Sequence, residues 1–285
     1  MKYIPLVTKN PNRADSTSCR VFTALFDLER EHIDSRSISQ YLEMLDKTIS
    51  LFPGVVVFHD GVCDNFHNRL ATFVKVSPTS LYTFKYLPEL KEVLRTFKPG
   101  SPNDITFKLP AYGLMQFAKF ELANRVINDY DCESVLWVDA GLSRFLHSDT
   151  AIASLDSYSE VKRGIVDAAF EIDLRRNFDI RKFRIKNPDI GSCKKVIGGG
   201  SFWLNSAAVP KFAKEIDDSI KGLLKDRVWD NEQVLLRKII PSLGVRVQFI
   251  TQGRSQPGAV ARKFLNSYKF RTSIISNLIM FLLRS

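Results

Sequence analysis

The fold is decided by the stretch Ser134-Val135-Leu136-Trp137-Val138-Asp139-Ala140-Gly141-Leu142-Ser143-Arg144. The run 135–138 contains no polar side chain, which is typical of a strand buried on both faces of a sheet. Asp139 follows at the expected carboxyl end of that strand, and Gly141 permits a sharp turn where the chain leaves the sheet. Because ligands bind at this edge of open α/β sheets, the stretch predicts a central strand with a carboxylate beside a binding site.

The carboxylate of Asp139 is costly to bury unless a cation lies beside it. A metal ion, a ligand or Arg144 could supply that positive charge. Strand-end aspartates are also common turn formers, so Asp139 could instead cap the following turn or pair with Arg144. The residues alone leave both interpretations open.

The composition indicates an ordinary globular protein. The chain has 285 residues, of which 45% are apolar and 25% charged, so it can form one large α/β domain or two small ones. Four scattered cysteines, without a CxxC spacing, argue against a zinc site and a secreted disulfide scaffold; they are Cys19, Cys63, Cys132 and Cys193. The first residues lack the apolar core of a signal peptide, and no run reaches the roughly 18–20 apolar residues of a membrane span. We therefore expect a cytoplasmic protein.

Positive charge is concentrated after Glu232, the last acidic residue of the sequence. The formal net charge is +10 and nine Lys or Arg residues follow Glu232, which leaves +1 for everything before it. Within this part, residues 261–285 combine cations with Phe264, Leu265 and an apolar stretch at 274–283. This pattern predicts a basic, amphipathic tail in the interface of an anionic membrane. The alternative is a helix that docks on the protein's own core.

The rest of the chain alternates between strand and helix patterns. Strands are predicted at residues 20–27, 55–58 and 73–76, with a late edge strand at 245–250. Helices are predicted after a Ser37 capping box, over 110–130 and after a capping Ser206. A strand, a helix and a strand in that order imply parallel pairing through a crossover.

Three of the predicted strands end on an aspartate, namely Asp27, Asp60 and Asp139. Gathered at one edge of a sheet, these carboxylates would form a polyvalent site. Each of them alone could equally be a turn cap.

Three consecutive glycines, Gly198-Gly199-Gly200, precede Phe202 and Trp203. Such a run is unfavourable unless the chain bends or another group approaches closely. One interpretation is a close-approach segment followed by an aromatic floor on which a sugar ring stacks. The other is a bulged strand without a ligand.

Residues 175–195 hold eight Lys or Arg side chains together with Asn187-Pro188 and Gly191-Ser192, which predicts a mobile basic loop. The loop is either solvated surface or a lid that meets an anionic ligand such as a diphosphate.

Two acidic residues, Asp230 and Glu232, stand at the predicted start of a late helix. Asp230 with Gln233 three residues later matches a capping box. Glu232 has less structural reason to be there beyond the favourable helix dipole, and both residues remain candidates for a catalytic carboxylate.

Residues 23–30, Trp137-Val138-Asp139-Ala140-Gly141 and Asp230-Asn231-Glu232-Gln233 together resemble the HtrL/YibB family, over roughly residues 18–250. Members of that family are associated with lipopolysaccharide and surface-polysaccharide gene clusters and look like glycosyltransferases of the GT-A fold. The resemblance implies an α/β protein with a Rossmann-related, mainly parallel sheet flanked by helices. A single domain at residues 1–260 would be followed by the basic tail at 261–285.

The resemblance also implies a site for a nucleotide-diphosphate sugar with Mn²⁺ or Mg²⁺ as cofactor. Asp139 matches one carboxylate of the Asp-x-Asp motif that holds the metal in GT-A enzymes, and Gly141 stands where the motif has its second carboxylate. Asp230 or Glu232 would be the catalytic carboxylate nearest the reacting sugar, as the base if the reaction inverts or as the stabilising charge if it retains. The expected donor-binding residues are Thr23, Phe26, Asp27, Arg30, Asp60, Lys119, Asp139, Gly141, Gly199 and Gly200.

The predicted function is transfer of a sugar from a nucleotide donor to lipopolysaccharide, capsule or another surface glycan, at the cytoplasmic face of the inner membrane. The basic segments or a metal would neutralise the leaving diphosphate. One alternative is a catalytically inactive scaffold that only binds sugar nucleotides. Another is a nucleic-acid-binding module that uses the basic C-terminal part, although aromatic interleaving and a known motif are lacking there.

Overall fold

A computed structural model describes residues 19–34, 36–97, 104–146, 166–172, 197–251, 258–262 and 264. The described residues contain one seven-stranded sheet in the order β3-β2-β1-β4-β6-β5-β7. Its strands are β1 (Cys19–Leu25), β2 (Val55–His59), β3 (Ala71–Lys75), β4 (Ser134–Val138), β5 (Ala168–Ile172), β6 (Ile197–Asn205) and β7 (Val247–Thr251). All neighbouring strands pair parallel except β6, which is antiparallel to both β4 and β5.

Helices flank this sheet on both faces. They are α1 (Glu31–Asp34), α2 (Ile38–Leu51), α3 (Leu87–Thr96), α4 (Ile105–Lys108), α5 (Pro110–Tyr130), α6 (Val209–Lys225) and α7 (Glu232–Ile239). Residues of α3, α5, α6 and α7 share a buried apolar cluster on one face of the sheet, and residues of α2 belong to a second cluster on the other. The predicted α/β class, with a mainly parallel central sheet between helices, is confirmed.

Strand β4 lies at the centre of the fold. Every residue of β4 is buried, and its side chains alternate between the two faces. Val135 and Trp137 belong to the cluster beside α5, whereas Leu136 and Val138 belong to the cluster beside α2. Each large apolar side chain buried in this way contributes roughly 1.5–3 kcal/mol, which explains why the uninterrupted apolar run forms the central strand.

Two helix starts differ from the predictions. Helix α6 begins at Val209 rather than after Ser206, and the Asn205 side chain accepts the Ala208 N–H at 2.7 Å. The cap of α7 is Asn231, not Asp230, because the Asn231 Oδ1 lies within reach of the N–H groups of both Gln233 and Val234. By contrast, Ser37 forms the predicted capping box with Gln40, and α5 has the predicted bounds.

The glycine run forms a bulge in β6. Phe170 of β5 pairs with Phe202, but the next β5 residue, Glu171, pairs with Gly198, so residues 199–201 have no counterpart on β5. The Gly200 carbonyl accepts the Asp139 N–H at 2.9 Å. The bulge is therefore tied to the carboxyl end of β4.

The chain after β7 returns to the domain. Residues 259–262 are helical, and Val260 and Ala261 are fully buried. The Ala261 N–H donates to the Ser201 Oγ at 3.1 Å, and Arg262 donates to the Phe145 carbonyl at 3.3 Å. Packing on the domain thus continues past the expected boundary at residue 260. The rest of the predicted tail, 265–285, and the predicted basic loop, 175–195, lie outside the described residues.

A search of the described helices finds none that is both long and apolar enough to cross a bilayer.

Candidate functional site

A cavity of about 360 Å³ opens where β1 and β4 end. The start of α7, the buried face of α5 and the β6 bulge form its other walls. Six of the described residues that line it are charged: Arg30, Arg36, Lys119, Asp139, Arg144 and Glu232. These six described residues therefore combine four cations with two carboxylates, and their summed formal charge is positive.

Lys119 is the centre of the site, although only 8% of the residue is exposed. Its Nζ donates to Glu232 Oε1 at 3.1 Å and to the Gly199 carbonyl at 3.0 Å. Asp139 Oδ1 lies 3.5 Å from the same nitrogen. Two of the three donors of the ammonium group therefore have acceptors, and Asp139 adds an ion pair.

The two carboxylates keep Lys119 charged. Burial by itself lowers the pKa of Lys119, but the nearby charges of Asp139 and Glu232 outweigh it, and the pKa is raised above its ordinary value. Lys119 therefore stays protonated throughout the neutral pH range. The Trp137 ring lies 5.2 Å below the ammonium and adds a cation–π contact.

The two carboxylates differ in their surroundings. Asp139 is partly exposed, with 44% of its side chain accessible, and its Oδ1 accepts the Trp137 indole N–H at 2.9 Å. Glu232 is almost fully buried, and within the described part of the chain its Oε2 has no hydrogen-bond partner. A buried carboxylate oxygen without a partner is unfavourable, so Glu232 Oε2 has an unmet hydrogen-bonding capacity.

Gly199 makes the ion pair possible. A Cβ at this position would overlap Glu232 Oε1 and would lie 3.4 Å from Lys119 Nζ. The glycines were predicted to allow close approach of another group. In the structure that group is the Glu232 carboxylate of the protein itself, and the glycines lie in a strand bulge. The predicted aromatic floor is wrong, because the Phe202 and Trp203 rings are 1% and 6% exposed and belong to the two apolar cores.

Arg30 is held between two aromatic rings at the other side of the cavity. Its guanidinium lies 4.3 Å from the Tyr112 ring and 5.0 Å from the Tyr41 ring. Arg36 donates to the Tyr41 hydroxyl at 3.4 Å. Burial raises the pKa of Tyr112, which therefore remains a neutral phenol against the arginine.

The structure brings most of the predicted site residues together. Those that line the cavity are Phe26, Arg30, Lys119, Asp139, Gly141, Gly199, Gly200 and Glu232. Four others do not line it. Thr23 is fully buried within β1, and the Asp230 carboxylate accepts the Asn231 N–H at 2.8 Å.

The remaining two, Asp27 and Asp60, stabilise a loop. Asp60 Oδ2 accepts the Asp27 N–H at 3.0 Å, and Asp27 Oδ1 accepts the Glu29 N–H at 3.0 Å. Asp27 lines a neighbouring cavity of about 140 Å³. Sequence analysis left open that these aspartates are turn caps rather than site residues. Their contacts with backbone N–H groups agree with the turn-cap alternative.

The side chains at Asp139 do not form a metal site by themselves, since no group of three or more metal-binding side chains occurs among the residues that the structure describes. A Mg²⁺ or Mn²⁺ held by Asp139 would take its other oxygen ligands from substrate phosphates and water. Asp27 and Asp60 accept backbone N–H groups instead of joining Asp139. The cation beside Asp139 is Lys119.

Several cavity residues were missed at the level of sequence, among them Arg36, Arg144, Tyr112 and Gln116. Tyr112 and Gln116 lie seven and three residues before Lys119 and share its helix face, so the spacing around a buried lysine could have identified them. Arg144 was considered only as a partner of Asp139. Arg36 lies just before helix α2, and no motif or spacing around it indicates a functional role.

No family model and no curated protein matches this chain. Solved structures do match. Mouse xyloside xylosyltransferase 1, in the apo form, is 12% identical with a TM-score of 0.43, over 81% of this chain and 84% of that chain.

A glycosyltransferase involved in glycosylation of the major capsid of PBCV-1 is 10% identical, with a TM-score of 0.40 over 81% of each chain. Core-mannan synthase A from Aspergillus fumigatus, in its Mn/GDP form, is 12% identical with a TM-score of 0.40, over 84% of this chain and 74% of that chain. These similarities are low, and the function is therefore inferred from the geometry of the cavity. The HtrL/YibB resemblance stays a prediction.

The substitution Gly199→Ala should destabilise the protein by roughly 1–3 kcal/mol, because its Cβ overpacks the site against the Glu232 carboxylate. Gly222→Ala on α6 is the matched control. Nothing lies within 4 Å of a Cβ there, and alanine favours a helix by up to about 1 kcal/mol over glycine. Urea unfolding of both variants measures the difference. Equal stability of Gly199→Ala and the unsubstituted protein would show that the close approach is not required.

Proposed function

We propose that this protein is a glycosyltransferase that transfers a sugar, of the hexose class, from a nucleoside-diphosphate donor to a lipopolysaccharide, capsule or other surface-glycan acceptor. The observation that carries the proposal is the pair of carboxylates, Glu232 and Asp139, held on either side of Lys119 in a cavity of positive formal charge. Glycosyl transfer needs both kinds of charge in one place. Cations stabilise the leaving diphosphate, and a carboxylate serves the sugar and the acceptor.

Glu232 is the carboxylate assigned to the reacting sugar. Its Oε1 is fixed by Lys119, and in the described part of the chain its Oε2 has no partner. Lys119 Nζ lies 3.1 Å from Glu232 Oε1 in a buried site, so the side chain is held in one position. A fixed carboxylate can accept a proton from an acceptor hydroxyl, or face positive charge on the anomeric carbon.

In the transfer step, the acceptor oxygen forms a bond to the anomeric carbon. The bond from that carbon to the β-phosphate oxygen breaks, and its electron pair leaves with the nucleoside diphosphate. If the reaction inverts the configuration, the acceptor proton moves to Glu232. If it retains the configuration, Glu232 stabilises the oxocarbenium-like sugar instead, and the acceptor proton passes to the departing β-phosphate oxygen.

Asp139 is assigned to donor binding. Its side chain reaches the cavity and accepts hydrogen bonds, but it is itself held by the Trp137 indole N–H. A carboxylate with two oxygens can accept from further donors, such as the hydroxyl groups of a ribose or a donor sugar. Asp139 also holds Lys119 towards the cavity.

The membrane contact is assigned to residues 265–285. Phe264 packs against the core beside α2, and residues 265–285 follow it in the sequence. Its cations, Lys269, Arg271 and Arg284, and its apolar residues match an interfacial segment. This location would bring the enzyme to lipid-linked acceptors at the cytoplasmic face of the inner membrane.

Glu232→Gln should lower the transfer rate by about 10²-fold or more, because the glutamine side chain cannot accept the proton or carry the charge. The measurement begins with a thermal-shift screen of uridine, guanosine, adenosine and thymidine diphosphates. Turnover of the matching sugar nucleotide by each folded variant then follows.

Asp230→Asn is the matched control, because it removes a neighbouring carboxylate that does not line the cavity. This variant should keep its turnover within about threefold of that of the unsubstituted protein. If Asp230→Asn is the more damaging variant, or if Glu232→Gln keeps full turnover, the assignment of Glu232 is wrong. Failure of every nucleotide and sugar nucleotide to bind would refute the proposed function itself.

Truncation after residue 264 should release the protein from vesicles that contain anionic lipid while sugar-nucleotide hydrolysis persists. The cut follows Phe264 because Val260 and Ala261 are buried and belong to the domain. Each lost Lys or Arg near the surface removes about 1 kcal/mol of attraction to anionic lipid. Sedimentation with anionic and with neutral vesicles measures the binding, and a truncated protein that still sediments with anionic vesicles would contradict the membrane assignment.

A further inference from the structure

One face of α5 presents three polar side chains to the cavity. Tyr112, Gln116 and Lys119 lie four and three residues apart in the sequence, a spacing that places them on successive turns of one helix face. All three line the cavity that also contains Glu232. The ion pair with Glu232 accounts for Lys119, but it does not account for the amide of Gln116 or the phenol of Tyr112.

The Gln116 side chain is held by a buried hydroxyl group. Thr106 Oγ1 donates to Gln116 Oε1 at 3.2 Å, and Thr106 is fully buried. Thr106 is itself fixed at the start of α4, where its backbone N–H donates to the Asp104 side chain at 3.0 Å. The carbonyl end of the Gln116 amide is therefore assigned to Thr106, and the nitrogen end is left for another partner.

Three polar groups of the cavity have no hydrogen-bond partner among the residues that the structure describes. They are the Gln116 amide nitrogen, the Tyr112 hydroxyl and Glu232 Oε2. The amide nitrogen supplies two donors, an ionised carboxylate oxygen accepts, and a phenol hydroxyl can do both. The cavity wall formed by α5 and the start of α7 thus offers donors and acceptors together.

This mixture of groups matches a ligand with several hydroxyl groups. A hydroxyl both donates and accepts, so a sugar ring can satisfy an amide donor and a carboxylate acceptor at the same time. A phosphate group offers only acceptor oxygens when it is fully ionised, and its negative charge is repelled by the carboxylate of Glu232. The groups beside Gln116 therefore favour the sugar part of a nucleotide sugar over its diphosphate.

We propose that Gln116 determines the specificity for the transferred sugar, because its amide nitrogen donates to a hydroxyl oxygen of that sugar. Thr106 is the positioning residue that orients the amide. This proposal rests on the proposed function, which supplies the nucleotide sugar. A side chain that is already oriented loses little rotamer freedom on binding. It also discriminates against a sugar that lacks the bonded hydroxyl, since the amide is then left unpaired.

The test compares the dissociation constants of sugar nucleotides with those of the nucleoside diphosphates that they contain. The probes are UDP-glucose, UDP-galactose, UDP-xylose, GDP-mannose, ADP-glucose and dTDP-glucose, with UDP, GDP, ADP and dTDP, all measured by calorimetry in the presence of Mn²⁺. For the sugar nucleotide that binds most tightly, Gln116→Leu should raise the dissociation constant by about three- to tenfold, the effect of one neutral hydrogen bond. Binding of the matching diphosphate should not change.

Asn128→Leu is the control for the loss of an amide side chain from α5, because Asn128 is exposed on the same helix and does not line the cavity. This variant should bind both classes of probe as the unsubstituted protein does.

Thr106→Val and Thr106→Ser test the orientation of the amide from outside the cavity. Valine keeps the shape of threonine but lacks the hydroxyl group, whereas serine keeps the hydroxyl group. Thr106→Val should weaken binding of the sugar nucleotide without affecting the diphosphate, and Thr106→Ser should retain it. A purely structural role of Thr106 would affect both ligands alike. The same pair of variants decides the proposal if Gln116→Leu does not fold.

The outcomes separate the two proposals. A loss that is equal for sugar nucleotide and diphosphate, or no larger than that of Asn128→Leu, overturns the role of Gln116 and leaves the proposed function intact. Equal binding of the sugar nucleotide by Thr106→Val and Thr106→Ser overturns the orienting role of Thr106. If the unsubstituted protein binds none of the sugar nucleotides, the proposed function is overturned together with this proposal.

Discussion

A buried ammonium group is stable only if oxygen atoms surround it, and Lys119 meets this condition with groups from three different parts of the chain. Its partners are the carboxylates of Asp139 and Glu232 and the carbonyl of Gly199. Removing one member of such a buried pair typically costs about 3–5 kcal/mol, because the other charge is left uncompensated. The interaction therefore connects α5, the end of β4, the β6 bulge and the start of α7 at one point.

The remaining features of the site follow from that constraint. The bulge in β6 needs glycine at position 199 because the Glu232 carboxylate fills the space of a side chain. Asn231 caps α7 and so aims the first helical residue, Glu232, at Lys119. Charges held in this way do not have to reorganise when a substrate binds, and that is the arrangement in which electrostatic stabilisation of a transition state is strongest.

The sequence was sufficient to predict those parts of the site whose conformation depends on neighbouring residues in the chain. An uninterrupted apolar run predicted β4 and placed Asp139 at a binding edge, and three glycines predicted a close approach. The sequence left two roles open for Asp27 and Asp60, site carboxylate or turn cap, and could not decide between them, because their carboxylates accept N–H groups that only the folded loop brings near. Phe202 and Trp203 were misplaced because both faces of β6 are covered, so that neither ring reaches the cavity. Arg30 was expected from the family resemblance, whereas Arg36 and Arg144 were missed as cavity residues because they come from separate loops.

The central claim is that Lys119 and Glu232 form one energetic unit. A double-mutant cycle with Lys119→Met and Glu232→Gln, measured as the free energy of unfolding in urea, tests it most directly. Contacting charges in a buried site should give a coupling of about 1–3 kcal/mol, so that the double variant is more stable than the two single losses predict. Losses that add to within about 0.5 kcal/mol would mean that the two residues are independent, and would contradict the account of the site.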